Sequence, residues 1–272
     1  MRVATRRMRA AFNVFGEAYT TKTIKPYQSG LRQIGRLLGS VRDLDVFMEK
    51  ANGYLKSLPP EMREGLNPLL SAWQNQLNEA RDRLIFHMDS QSYKDFKRSF
   101  NYFVQTSGYA ARAEPTTEPK PGRVCEMVPC LIYSCLASVR AYELMVNTAT
   151  IPQLHTLRIE FKRLRYTLEF FIEVLGDEAR QLIDIIKKIQ DRLGDLHDAD
   201  VACQILNKFL DNWDREQMGV QLNEYRNPEP IVSYLGFQYA ERHRLLISIP
   251  ETWARFNQPE ISRMVALAIS VL

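Results

Sequence analysis

The feature that most limits what this chain can fold into is that it nearly repeats itself. The segment MRVATRRMRAAFNVF from Met1 lies over LRIEFKRLRYTLEFF from Leu157, so that Arg2, Arg7 and Arg9 fall on Arg158, Arg163 and Arg165, and Arg6 falls on Lys162. Apolar residues fall on apolar residues at most other positions. Further on, LLGSVRDLDV from Leu37 overlays RLGDLHDADV from Arg192 after a gap of one residue. Such self-similarity predicts two copies of one supersecondary unit. In both copies the apolar residues recur at spacings of three and four, with many Leu, Ile, Met and Phe and few β-branched alternations, which is the period of a helix. Helices are predicted over 1–17, 24–56, 60–87 and 91–111, then over 124–148, 154–175, 178–212, 229–248 and 251–268. The fold class is therefore all-α.

Between the copies, AEPTTEPKPGR over 113–123 carries Pro115, Pro119 and Pro121 with no apolar periodicity, as an extended solvated connection would. The halves are then 1–112 and 124–272, together one domain. They do not begin alike: a helix at 124–148 and the segment ending in His155 precede the second repeat, whereas the first copy starts at the repeat itself. The expectation is that the first bundle lacks its leading helix and that Met1 is an internal methionine.

Composition narrows the class. Of 272 residues 45% are hydrophobic and 25% charged, with only 12 Gly and 13 Pro, which excludes disordered, collagen-like and small disulfide-stapled chains. Lys plus Arg (36) exceeds Asp plus Glu (32) by four, so any electrostatic case has to be local. Cys125, Cys130, Cys135 and Cys203 match no zinc spacing and read as reduced core thiols. No apolar run approaches the ~20 residues that cross a bilayer, and Met1 leads straight into Arg2, Arg6, Arg7 and Arg9, so the expected location is the cytoplasm.

The local electrostatic case is a basic strip. At 100° per residue His155, Arg158, Lys162 and Arg165 sit at about 60°, 0°, 40° and 340° on a helical wheel, all facing one way. Leu157, Leu164, Leu168 and Phe171 fall on one flank, and Ile159 and Phe170 on the other, predicting apolar packing on both sides. Arg2, Arg6 and Arg9 reproduce the strip in the first copy. Arg7 and Arg163 fall closer to an apolar flank, where pairing with an acid is expected. Like charges at these spacings cost a few tenths of a kcal/mol per pair. A linear polyanion would offset that, because guanidinium groups grip phosphate oxygens through paired charge-assisted bonds and ten residues of helix span ~15 Å.

These paired motifs, MRVATRRMRAAFNVF with GSVRDLDV and LHTLRIEFKRLRYTLEFF with DRLGDLHDADV, resemble the CHAD family, the conserved histidine α-helical domain. The resemblance covers essentially the whole chain. It implies two pseudo-symmetric helical bundles around a central basic cavity and binding of inorganic polyphosphate, with association to polyphosphate granules; the residues themselves favour no catalysis, no cofactor and no metal, the alternative being a phosphohydrolase-type enzyme on a polyphosphate substrate, with Asp198 and Asp200 holding Mg²⁺. His155 matches the second of the family's two histidines; the first would lie before Met1. The resemblance places Arg2, Arg6, Arg9, His155, Arg158, Lys162 and Arg165 around the ligand. The cations of the following long helices come next: Lys22, Lys25, Arg32 and Arg36 in the first copy, and Lys187 and Lys188 in the second. Lys94, Lys97 and Arg98 read as an exposed face.

Rival chemistry is weaker. GDLHDADV, with Asp195, His197, Asp198 and Asp200, is the best metal candidate, but the other copy reads Ser40, Arg42, Asp43 and Asp45 at those positions, and a position that takes Arg or His suits an anion or ion-pair partner better. Asp43, Asp45, Asp198 and Asp200 are expected to cap helices or orient arginines. No Walker-type loop, Glu-x-x-His motif or Gly-x-Ser-x-Gly elbow occurs, and His87 and His243 read as surface or helix-end residues. A nucleic acid is a less favoured partner, since the strips offer few aromatics for stacking, Tyr166 being the nearest. A charged His155, with an ordinary pKa of roughly 6.5, would make anion binding rise from pH 8 to pH 6.

Overall fold

The structure is a computed structural model that describes residues 1–112 and 122–272. The fold is all-α: among the described residues there is no strand, only an isolated bridge between Tyr19 and Ala111. The helices are α1 (Arg2–Val14), α2 (Thr21–Ser57), α3 (Asn67–Asp89), α4 (Gln91–Gln105), α5 (Val124–Arg140), α6 (Ile151–Phe170), α7 (Glu178–Gln217), α8 (Glu229–Ile247), α9 (Ile249–Phe256) and α10 (Pro259–Ile269). No helix among the described residues is long and apolar enough to cross a membrane.

The differences from the predicted helices have local causes. The helix predicted over 60–87 begins as a 3-10 turn over Pro60–Leu66, after the Pro59–Pro60 pair. The one predicted over 91–111 stops at Gln105, and Gly108, at φ +72°, takes the left-handed conformation open to a residue without a Cβ. Past Arg140 the bonds run from Tyr142 to Val139, from Glu143 to Arg140 and from Met145 to Tyr142, so 141–148 forms tight turns rather than the continued helix expected. The single helix expected over 251–268 is two, because Pro259 forces extended backbone on Gln258 and then opens α10. Most of the proline-rich connection, residues 113–121, lies outside the described residues.

Contacts divide the chain into two compact units, Met1–Glu114 with Ile205–Gly236, and Pro115–Gln204 with Phe237–Leu272. The contiguous second half expected over 124–272 is thus interrupted. At 40 residues α7 is about 60 Å long, beyond the reach of one small core. Its last turns therefore serve the first unit, where Arg226 covers the Trp213 ring at 4.5 Å and Tyr54 packs on Tyr234 with centroids 4.8 Å apart.

In the first unit Phe12, Ile24, Tyr27 and Leu31 pack with Phe96, Phe100 and Phe103 of α4. A Cβ at Gly30 would collide with the Phe96 ring, so glycine permits this close approach. In the second unit Val128, Ile132, Leu136 and Val139 of α5 meet Leu157, Phe161, Leu164 and Leu168 of α6 and Leu182, Ile186, Ile189, Leu193 and Leu196 of α7. These sets recur at three and four, so each helix turns one face inward. Phe161 is fully buried, edge-on to Phe256 at 4.9 Å and to Trp253 at 6.3 Å. Replacing Phe161 by Ala should cost about 3–5 kcal/mol in urea unfolding, through lost transfer energy and a residual cavity. Leu144→Ala, at a side chain 98% exposed, should stay within about 0.5 kcal/mol of wild type.

Candidate anion-binding site

Helix α6 starts at a reciprocal cap: the Gln153 N–H donates to Thr150 Oγ1 at 3.4 Å, and the Thr150 N–H donates to Gln153 Oε1 at 2.7 Å. The Thr-x-x-Gln spacing is a start signal that moves the predicted beginning from 154 to 151. Leu154, Leu157, Phe161, Leu164 and Leu168 are all buried, which fixes the helix's rotation and leaves His155, Arg158, Lys162 and Arg165 half-buried beside them. The second flank differs from expectation, since Ile159 is 41% exposed. Burial closes in toward the C-terminal end, where Tyr166, Thr167 and Leu168 are successively buried. The strip is therefore open along one side at its start and enclosed at its end.

That gradient separates the cations. The Arg158 Nε lies 3.7 Å from where a Cβ on Gly194 of α7 would stand, an ordinary van der Waals distance, so the guanidinium lies against α7. Among the described residues Arg158 has no carboxylate or hydrogen-bond partner. Arg165, at the enclosed end, has a side chain only 13% exposed; its Nε sits 3.3 Å from Glu169 Oε1 and its guanidinium 5.1 Å from the Tyr166 ring centroid. Expected as a ligand-facing cation, Arg165 is already matched by the carboxylate one turn on, as its burial requires. Arg163 pairs with Glu160 at 3.2 Å, as expected of an arginine near an apolar flank.

The sequence did not place His197 next to His155. Their rings lie 4.5 Å apart and tilted by 40°. The neighbourhood comes from α6 packing on α7, which no local motif encodes. Burial, then Arg158 and Lys162, push His155 below the usual histidine range. His197 is pushed the same way, by burial first and then by His155 and Arg158, against the opposing pull of Asp198 and Asp200. The Nδ1 of His155 is buried without a hydrogen-bond partner. A charged His155 at neutral pH, the basis of the expected rise in binding from pH 8, is thus disfavoured in the free protein, and the titration moves to more acidic pH.

Asp200 accepts hydrogen bonds from Arg242 at 2.8 Å and from Gln204 at 2.7 Å. Asp45, which overlays Asp200 in the repeat, accepts from Arg81 at 3.2 Å. The orienting role expected of these two aspartates is what they perform, although Arg81 and Arg242 carry no signal in their own segments. Among the described residues no group of three His, Cys, Asp or Glu is placed to hold a metal ion.

In the first unit Thr5, Ala10 and Phe12 turn α1 inward, Arg6 is half-buried, and Arg2 and Arg9 are exposed. The Arg9 Nη1 lies 3.2 Å from the Cβ position of Gly35 on α2, so glycine again faces an arginine. Arg7 is exposed, and among the described residues it has no acidic partner of the kind expected for it. Lys22, Lys25, Arg32 and Arg36 on α2, and Lys187 and Lys188 on α7, are exposed cations whose side chains have no partner among the described residues. Lys94, Lys97 and Arg98 are exposed on α4, and His87 lies in the last turn of α3. Cys125 and Cys130 are exposed rather than in the core: Cys130 is on the face of α5 opposite Val128 and Ile132, and Cys125 is in the helix's first turn.

The fold and its cation-bearing helices define a class. The family model for the CHAD domain matches residues 1–207, and the chain belongs to the CHAD domain family. The crystal structure of the CHAD domain from the plant Ricinus communis aligns with a TM-score of 0.62 and 19% identity, over 100% of this chain and 80% of that one. PptA from Streptomyces chartreusis aligns with a TM-score of 0.62 and 12% identity, over 93% of this chain and 87% of that one. At these identities the likeness is one of fold. No curated protein matches the chain.

Two measurements check this geometry. Because the native pKa of both histidines lies below the unfolded value, the unfolded state binds more protons as pH falls through 6.5, and stability should drop on acidification from pH 7 to pH 5. His155→Gln should flatten that dependence of the urea midpoint. Asp200→Ala, which strips a half-buried Arg242 of its carboxylate, should cost roughly 1.5–3 kcal/mol. Asp45→Ala at the more exposed pair should cost under about 1 kcal/mol.

Proposed function

We propose that this chain binds inorganic polyphosphate through the strip on α6, with Arg6 and Arg9 on α1 as the corresponding contacts of the first unit, and that it catalyses no reaction of its own. The observation that carries the reading is Arg158: a half-buried guanidinium with no carboxylate, lodged against Gly194, with Lys162 one turn on and two histidines nearby whose charging is already suppressed. A structural arginine at that depth ordinarily finds an acid, as Arg165 and Arg242 do. Phosphate oxygens would supply the missing acceptors and offset the repulsion along the strip. The family is known in general for polyphosphate binding.

Roles follow from depth. Arg158 and Lys162 meet the ligand directly. Arg165 with Glu169 holds the enclosed end in place. His155 becomes a donor when an anion's field offsets its burial, so binding strengthens below the ordinary histidine pKa rather than above it. Tyr166, whose ring lies beside Arg165, is 5% exposed, so it offers no ring on which a nucleobase could stack.

The test is a titration of the chain with polyphosphates of graded length, with DNA and RNA as competitors and phosphate release followed with and without Mg²⁺. Affinity should rise with chain length, survive excess nucleic acid and proceed without phosphate release. Changing Arg158 and Lys162 together to Glu should weaken binding by about 100-fold or more, at roughly 1.5 kcal/mol for each charge-assisted contact, with helical content unchanged. Undiminished affinity in that double variant contradicts the assignment, and sustained Mg²⁺-dependent release contradicts the absence of catalysis.

A further inference from the structure

A second feature lies entirely within the first unit and has no part in the basic strip. The stretch of α2 beyond Ser40 and the facing side of α3 enclose an open groove of about 660 Å³. Asp45, Glu49, Gly53 and Lys56 contribute to it from α2, Leu77 and Arg81 from α3. Their spacing of four, four and three keeps the α2 residues on one face of the helix.

The charges in the groove are arranged in an unusual way. Asp45 and Arg81 neutralise one another at 3.2 Å. Glu49 and Lys56 have no hydrogen bond or ion pair among the described residues. Seven residues separate them, about 10 Å along the axis, too far for the ordinary contact between side chains one turn apart. Between them a Cβ on Gly53 would meet nothing within 4 Å, and Met48, Asn52 and Gln74 complete the lining.

From this arrangement we infer that the α2–α3 groove binds a small zwitterion with an ammonium and a carboxylate at opposite ends of a short apolar chain. The ammonium meets Glu49, the carboxylate meets Lys56, and the methylenes lie over Gly53. With Asp45 matched by Arg81 and Glu49 offset by Lys56, the groove carries no excess of positive charge to draw a polyanion, which separates this site from the strip on α6. Its test is likewise independent of polyphosphate binding.

The probe is 6-aminohexanoate, compared with hexanoate and hexylamine, each of which lacks one end charge. Amide NMR shifts of the full chain report both the site and the affinity. Saturable shifts centred on Gly53, with 6-aminohexanoate bound at least about 10-fold more tightly than either analogue, are expected. Gly53→Trp should fill the groove and abolish the shifts at an unchanged melting temperature. Glu49→Gln, which alters only an exposed side chain, should weaken 6-aminohexanoate without weakening hexanoate. Equal response to all three probes, absence of saturable shifts at Gly53, or undiminished binding in Glu49→Gln would overturn the inference.

Discussion

The site depends on how one helix is held. Five large apolar side chains of α6, from Leu154 to Leu168, are buried along a single arc, and their removal from water sets the rotation of the whole helix. Once that rotation is fixed, the neighbouring positions 155, 158, 162 and 165 stand at the edge of the core, neither immersed nor free in solvent. A cation at that depth sits in a lower effective dielectric than one on an open face, so a phosphate partner attracts it more strongly and salt weakens the pair less. The same chemistry on an exposed lysine such as Lys187 is worth little.

Depth also sorts the basic residues, which their common side of a helical wheel does not. Arg165, where α6 is buried nearly all round, carries its own carboxylate. Arg158, about two turns nearer the start of the helix and against Gly194, carries none among the described residues. The histidine pair extends the pattern: burial and the neighbouring basic groups lower both rings' affinity for protons, so the strip holds fewer positive charges when empty than a count of its basic residues suggests. An anion would reverse part of that suppression.

The strip was legible in the sequence because it depends on helical period alone, and the period survives folding. So was the all-α class, and so was the role of Asp45 and Asp200, which came from overlaying one copy on the other. What was not legible depends on how helices meet. His197 reaches His155, and Arg158 lies against Gly194, only because α7 packs on α6 in one register. Arg242 reaches Asp200 across 42 residues. The exposure of Cys125, Cys130 and Ile159 has the same origin: an apolar residue on a helix is core only if another element covers it. Two errors were avoidable from the sequence itself, since Pro259 marks the break between α9 and α10, and Thr150 with Gln153 marks the start of α6.

The central claim is that the half-buried Arg158 guanidinium, with Lys162 one turn on, awaits a linear anion, and the salt dependence of polyphosphate binding tests it most directly. Each phosphate neutralised releases condensed counterions, so the logarithm of the affinity should fall linearly with the logarithm of salt concentration, with a slope of about −2 or steeper for three or more contacts. A slope near zero would mean that binding does not run through these charges.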